Sequence, residues 1–285
     1  MTPPPGGRPA GQPTDPGYLR RRRGGHPAAR LVVALVVTAL ALGACAGTQS
    51  ERRLTIFVAS SLRDVAEALA AGYEADHPGV TVVVAADASS TLRVQIEQGA
   101  PADVFAPASP DEIEPLAAAG LTAAEPVTFA TADVVLAAPV DGSSVRGPYD
   151  LAAPGVRIVA AAPEVPIARY ASEVVDRLAS SSASPPDFAA HVAGNVVSEE
   201  PNARAVLAKL ELGEADAGFV YAPDLRGDAA LREVPLPAEA RVTAAYAAVA
   251  LAPSREPDLA ADLVGWLMGP EAAAILAERG FGSPT

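Results

Sequence analysis

The 285-residue sequence has one cysteine, Cys45, and three histidines. A single thiol permits no intrachain disulfide and excludes a cysteine zinc site. Only His77 and His191 follow Cys45, and neither has a second ligand three or four residues further along the chain. No Gly-x-Ser-x-Gly elbow accompanies them, so nucleophilic and metal-assisted catalysis both lack their parts, and the chain is expected not to be an enzyme. Basic residues are scarce beyond the first segment. Residues 1–44 hold six arginines and one aspartate, which leaves 15 basic and 33 acidic side chains, a net charge of −18, on the remainder. That balance excludes nucleic acid and an anionic membrane surface as partners, because both demand basic patches. It does not exclude a small anion held by dipoles. Long apolar runs are lacking too: the uncharged stretch 31–44 is short of the roughly 20 residues that span a bilayer.

That stretch reads as an address. Arg20 to Arg23 and Arg30 precede it, and Leu42-Gly43-Ala44-Cys45 closes it. The flanking charges and small residues favour a cleaved signal over an uncleaved anchor or a buried core helix. The closing residues resemble the lipobox of bacterial lipoproteins. The resemblance implies cleavage before Cys45, a lipid on its thiol, and attachment to the outer face of the cell membrane. Export by the general secretory or the twin-arginine route fits equally. Residues 1–44 are thus a leader and 45–52 a short polar tether.

With half its residues apolar and 19% charged, the chain can bury a sizeable core. Leu54 to Ala59 is a β-rich run, after which Leu62, Val65, Leu69 and Tyr73 recur at helical spacing until Pro78-Gly79. Val80 to Ala86 repeats the strand, Ser89-Ser90-Thr91 opens a second helix, and Gly99 with Pro101 closes it. A third strand, Asp103 to Pro107, precedes Ser109-Pro110-Asp111-Glu112, which predicts an N-cap, a first-turn proline and a capping-box glutamate. The alternation returns in a strand over Arg157 to Ala162, helices over Pro166 to Ala179 and Pro201 to Gly213, and a strand over Ala217 to Tyr221. Ser180 to Pro186 reads as an exposed loop. A further strand, Val242 to Ala252, and helices around Trp266 and Ile275 complete the chain. Near-continuous apolar strands between amphipathic helices predict an α/β class with parallel sheets covered on both faces, and a second sheet for the later units.

In open α/β sheets ligands bind beyond the carboxyl ends of the strands, where Ser61 and Ser89 fall. A hydroxyl and free N–H groups at a helix start form an anion site without a cation, although a serine there also serves as a simple helix cap. Tyr221, at the end of an apolar strand, fits core packing as readily as ligand contact.

Thr55-Ile-Phe-Val-Ala-Ser-Ser-Leu62, Ser89-Ser-Thr-Leu92 and Gln95-Ile-Glu-Gln-Gly-Ala-Pro-Ala-Asp-Val-Phe105 resemble the periplasmic molybdate-binding proteins. So do Pro163-Glu-Val-Pro166 with Tyr170-Ala171, Asn202-Ala-Arg204, Gly218-Phe-Val-Tyr221 and Gly280-Phe281, in the same order. The resemblance implies a two-lobed type II periplasmic-binding fold, each lobe a mostly parallel sheet flanked by helices, closing on a dehydrated dianion. Matched by motif, Ser61, Ser89 and Tyr221 would donate hydroxyls, and Ile167 and Ala203 backbone N–H groups. The implied ligand is molybdate or tungstate, with no cofactor and no metal beyond the oxyanion's own. Three departures stand at the second lobe's edge: a shortened loop before Val165-Pro166, Ile167 in place of a small residue, and Ala168-Arg169 where the family has glycine and an apolar residue. Arg169 is read as a helix-surface residue facing water or the other lobe, outside the site.

The lobes are expected to divide as 53–133 and 223–285 for the first and 134–222 for the second. Partners are a small oxyanion, the transmembrane permease of an ABC importer, and the membrane through Cys45; the chain acts as a monomer. Another solute such as sulfate, or a sensing role on the same fold, is the alternative. Hydroxyl and N–H donors predict binding nearly flat between about pH 6 and 8.

Overall fold

The computed structural model describes residues 52–284, which form one compact unit; the leader and Cys45 lie outside the described residues. Strands β1 (Arg52–Ala59), β2 (Val80–Asp87) and β3 (Val104–Ala106) are parallel, and β1 lies between the other two. Alternation along β1 sends Leu54, Ile56 and Val58 into the main core and Phe57 into a second cluster on the opposite face. Helix α1 (Arg63–Asp76) covers the first face through Val65, Ala66, Leu69 and Tyr73, and α2 (Ser89–Glu97) covers the second through Leu92 and Ile96. Both faces are therefore dry, which is why these strands read as continuous apolar runs.

Two long antiparallel strands follow in sequence order: β4 (Val127–Pro139), after the short helix α3 (Glu114–Ala118), and much later β9 (Val242–Ala250). Between them in sequence come β5 (Ile158–Ala161), α4 (Pro166–Ala179), α5 (Phe188–Gly194), β6 (Val196–Glu200), α6 (Ala203–Glu211), β7 (Ala217–Tyr221) and β8 (Leu231–Val234). Helices α7 (Pro257–Trp266) and α8 (Pro270–Glu278) pack back on α1 and β9. Gly218 on β7 has no room for a side chain, because a Cβ there would stand 2.9 Å from the Val159 carbonyl oxygen.

The later units were expected to make a separate second sheet. Instead all nine strands join in one mixed sheet, ordered β2-β1-β3-β9-β4-β7-β5-β6 with β8 on β4. The reason is the length of β4 and β9. The last residues of β9, Val249 and Ala250, pair with β3, while the second half of β4 pairs with β7 and β8. Between those regions the β4/β9 ribbon carries the sheet, with a register irregularity between Thr128 and Ala130 and a single bridge from Thr131 to Gly282.

One local expectation also fails. Ser109 does cap, its Oγ accepting the Asp111 N–H at 3.2 Å, but it caps a 3-10 turn over Pro110–Glu112. Glu112 does not return to the cap and instead takes Arg93 Nε at 3.0 Å, and α3 starts only at Glu114. An ion pair with a neighbouring helix outcompetes the capping box.

Candidate functional site

The site is built from strand ends. Register pairs Ala59 with Asp87, so Ser61 and Ser89 each stand two residues beyond a matched pair, on one edge of the sheet. Neither serine caps its helix. Ser61 sits inside a 3-10 turn over Ser60–Leu62, and its Oγ lies 3.1 Å from Tyr246 Oη of β9. Ser89 is the first residue of α2, and its Oγ accepts the Ala108 N–H at 3.1 Å. With its oxygen occupied in that way, the Ser89 hydroxyl hydrogen is left to donate, and among the described residues it has no acceptor.

The other three residues come from the far half of the sheet. Ile167 occupies the first turn of α4 and Ala203 that of α6, where N–H groups lack intrahelical partners. Among the described residues neither N–H has an acceptor. Asn202 caps α6, its Oδ1 taking the Ala205 N–H at 3.0 Å, while its Nδ2 donates to Asp87 Oδ1 at 3.3 Å. That bond seats the start of α6 against the end of β2. Tyr170 Oη donates to the Ala108 carbonyl at 3.3 Å, and Ala108 is the residue whose N–H meets Ser89. The start of α4 is thereby set beside Ser89.

Tyr221 closes the group. Its ring lies 5.6 Å from that of Tyr246, which in turn reaches Ser61. Burial first, then the nearby Tyr170 and Asp224, hold the Tyr221 phenol well above its ordinary range, with Arg169 opposing. It remains a protonated donor at any physiological pH. All five residues are buried, and Ser61 also borders a cavity of about 450 Å³ lined by Arg204, Asp224, Arg226 and Arg279.

Sequence reasoning missed three participants. Tyr246 sits in an apolar alternating strand and carried no signal of its own. Asp224 accepts the Tyr221 N–H at 3.1 Å. Arg169, left out of the site and read as facing water or the other lobe, takes the second of these: it donates to Ser109 Oγ at 2.6 Å and pairs with Asp111.

Asp224 gives the site a titrating neighbour. Burial pushes its carboxyl up to about 7, with Asp64 and Glu211 adding to the rise and the Tyr221 N–H and Arg204 opposing it. The folded state therefore holds a proton that the unfolded chain, with a carboxyl near 3.9, has already lost. Stability from this group is full below about pH 4, falls as pH rises towards 7, and is lost above it, a swing on the order of 4 kcal/mol. Asp224→Asn should flatten the fall. The check is urea denaturation at a series of pH values from about 5 to 8. An equally steep fall in the variant would place its source elsewhere.

Donor groups converge from several helix starts and strand ends. Among the described residues, no three His, Cys, Asp or Glu side chains stand together to hold a metal. The fold is an α/β architecture of the periplasmic-binding-protein kind. The chain belongs to the bacterial extracellular solute-binding protein family, whose model matches residues 54–282. It is a non-enzymatic, extracytoplasmic transport component. It is 34% identical over 239 residues to the molybdate-binding protein ModA of Mycobacterium tuberculosis, covering 83% of this chain and 87% of that one. Identity to the molybdate-binding protein ModA of Escherichia coli is 28% over 242 residues, with coverage of 81% and 89%. The periplasmic molybdate-binding protein of Azotobacter vinelandii superposes with a TM-score of 0.69 at 24% identity, over 81% of this chain and 100% of that one. The sulfate-binding protein SubI of Mycobacterium tuberculosis superposes with a TM-score of 0.70 at 18% identity, over 81% and 86%, which shows a shared fold alone.

Proposed function

We propose that this protein captures molybdate, or tungstate of the same shape and charge, and hands it to the permease of an ABC importer. Ser61, Ser89 and Tyr221 donate hydroxyls, and Ile167 and Ala203 backbone N–H groups, to one dehydrated dianion. The observation that carries this reading is the polarity at Ser89, whose oxygen is already an acceptor for Ala108, so that its hydrogen is reserved for a ligand. Ser61 matches it when Tyr246 donates, which frees a second hydroxyl. Helix dipoles at the starts of α2, α4 and α6 add positive potential where the protein as a whole is acidic. Relatives that bear the name of molybdate-binding proteins support the same ligand.

In this reading the cleft lies between two lobes, 53–133 with 223–285 and 134–222. The β4/β9 ribbon joins them as a two-stranded hinge, the part of the sheet with fewest neighbours to resist bending. Cys45 carries the lipid that holds the protein at the outer face of the cell membrane, and the chain works as a monomer. The titration of Asp224 tilts an otherwise flat pH profile: its negative charge above about pH 7 weakens binding of a dianion.

A thermal-shift panel on residues 46–285 tests the ligand. Molybdate and tungstate at a thousand times Kd should stabilise the fold by about 4 kcal/mol, and each 1 kcal/mol raises Tm by roughly 2–4 °C at this size. Sulfate and phosphate should do little, because donors set for a larger anion are left poorly paired around a smaller one. An equal shift with sulfate would reject molybdate as the physiological ligand.

A further inference from the structure

The halves of the sheet are held together by more than the ribbon. On one side Arg169 of α4 donates to the buried Ser109 Oγ and pairs with Asp111, and its guanidinium lies 5.1 Å from the ring centre of Tyr170. On the other side Arg204 of α6 donates to Asp64 Oδ2 of α1 at 2.5 Å. Each pair joins a helix of the 134–222 segment to an element of the other. The two clasps differ in how they connect to the site. Ser109 directly follows Ala108, the residue whose carbonyl takes Tyr170 and whose N–H takes Ser89. Arg169 is two residues beyond Ile167 on the first turns of α4. A pull on Arg169 therefore acts on a segment that ends at two of the five donors.

We propose that Arg169 is a positioning residue that sets the rate at which bound oxyanion leaves, by latching α4 to Ser109 and Asp111 when the cleft is shut. This rests on the ligand reading above. A half-exposed ion pair contributes little to stability in general. Here, however, the guanidinium also reaches a hydroxyl that is 1% exposed, and the contact exists only while the two segments touch. Its free energy is therefore felt by dissociation more than by folding or by encounter. The role is indirect: the polar partners of its guanidinium are Ser109 and Asp111, neither of them one of the five candidate donors.

The test uses residues 46–285, which contain no cysteine. Molybdate dissociation is followed by stopped-flow displacement with excess tungstate. Arg169→Ala should speed release roughly tenfold to a hundredfold, and Asp111→Ala, which removes only the half-exposed ion pair, by up to about fivefold, with association changed less than about threefold. Pairing Arg169→Asp with Asp111→Arg should recover much of the loss, which a merely structural defect would not. If Asp111→Ala slows release while Arg169→Ala speeds it, Arg169 is a ligand contact and the latch is wrong. A second arm needs no bound anion. Spin labels at the exposed positions Gln98→Cys and Ser182→Cys report the separation of the segments, with and without molybdate. Arg169→Ala should shift the population to longer distances. Distributions that coincide with those of the unsubstituted parent under both conditions overturn the latch. Failure of the parent protein to bind molybdate at all would overturn the ligand reading instead, and the label arm would still decide whether Arg169 holds the segments together.

Discussion

Ser61→Ala and Ser89→Ala should each weaken oxyanion binding by roughly 1.5–3 kcal/mol, about tenfold to a hundredfold, and the double variant should come close to abolishing it. Each substitution removes the hydroxyl of a buried residue that, on this reading, meets a charged ligand. The two variants should differ in stability. Ser89→Ala strands the Ala108 N–H, which has no other acceptor, so it should cost stability in the absence of ligand as well. Ser61→Ala leaves Tyr246 Oη, a group buried within an aromatic cluster with Tyr221 and Phe281, without a partner. A Tyr246→Phe variant separates the effects. It keeps the ring packing and removes the partner of Ser61, so it should weaken binding by less than Ser61→Ala does. Calorimetric titration of all four variants reads these losses directly. Unchanged affinity in both serine variants would reduce Ser61 and Ser89 to structural hydrogen-bond partners.

Cys45→Ser should move the protein from the membrane fraction to the soluble fraction of its native host. The expected change is close to complete, because stable attachment requires more than one acyl chain. A thioether-linked diacyl group with an amide-linked chain supplies that, at about 0.8 kcal/mol for each buried CH2. Residues 46–285 are strongly acidic, and no single described helix is long and apolar enough to cross a bilayer. Fractionation followed by immunodetection is sufficient. A Cys45→Ser protein that still sediments with membranes would show that the leader remains attached or that a partner holds it there.

How much of this was legible in the sequence depended on the distance over which each feature is assembled. The βα units of β1 with α1 and β2 with α2 were readable because their signals are local: apolar runs, helical spacing and the Pro78-Gly79 stop. The positions of Ser61 and Ser89 at strand ends followed from the same signals. The union of the halves into one sheet was not readable, because it is decided by β4 and β9, whose pairing brings Val127 to Ala248 and leaves no mark in either strand alone. Strands β6 and β8 escaped for a related reason, since half-exposed residues such as Ser198 and Arg232 break the apolar pattern. Whether Arg169 faces water or the other lobe was not decidable from the sequence, because its partner Ser109 is 60 residues away. Tyr246 is 185 residues from Ser61, and within β9 its spacing signals only core. The choice between cap and ligand donor for the two serines was likewise out of reach, since it turns on which partner each hydroxyl finds across the fold.

Calorimetric titration of residues 46–285 with molybdate, against sulfate under the same conditions, tests the central claim most directly. One dianion bound per chain is predicted, with sulfate weaker by at least about tenfold, a difference of about 1.4 kcal/mol. No heat with molybdate, or sulfate bound as tightly, would contradict it.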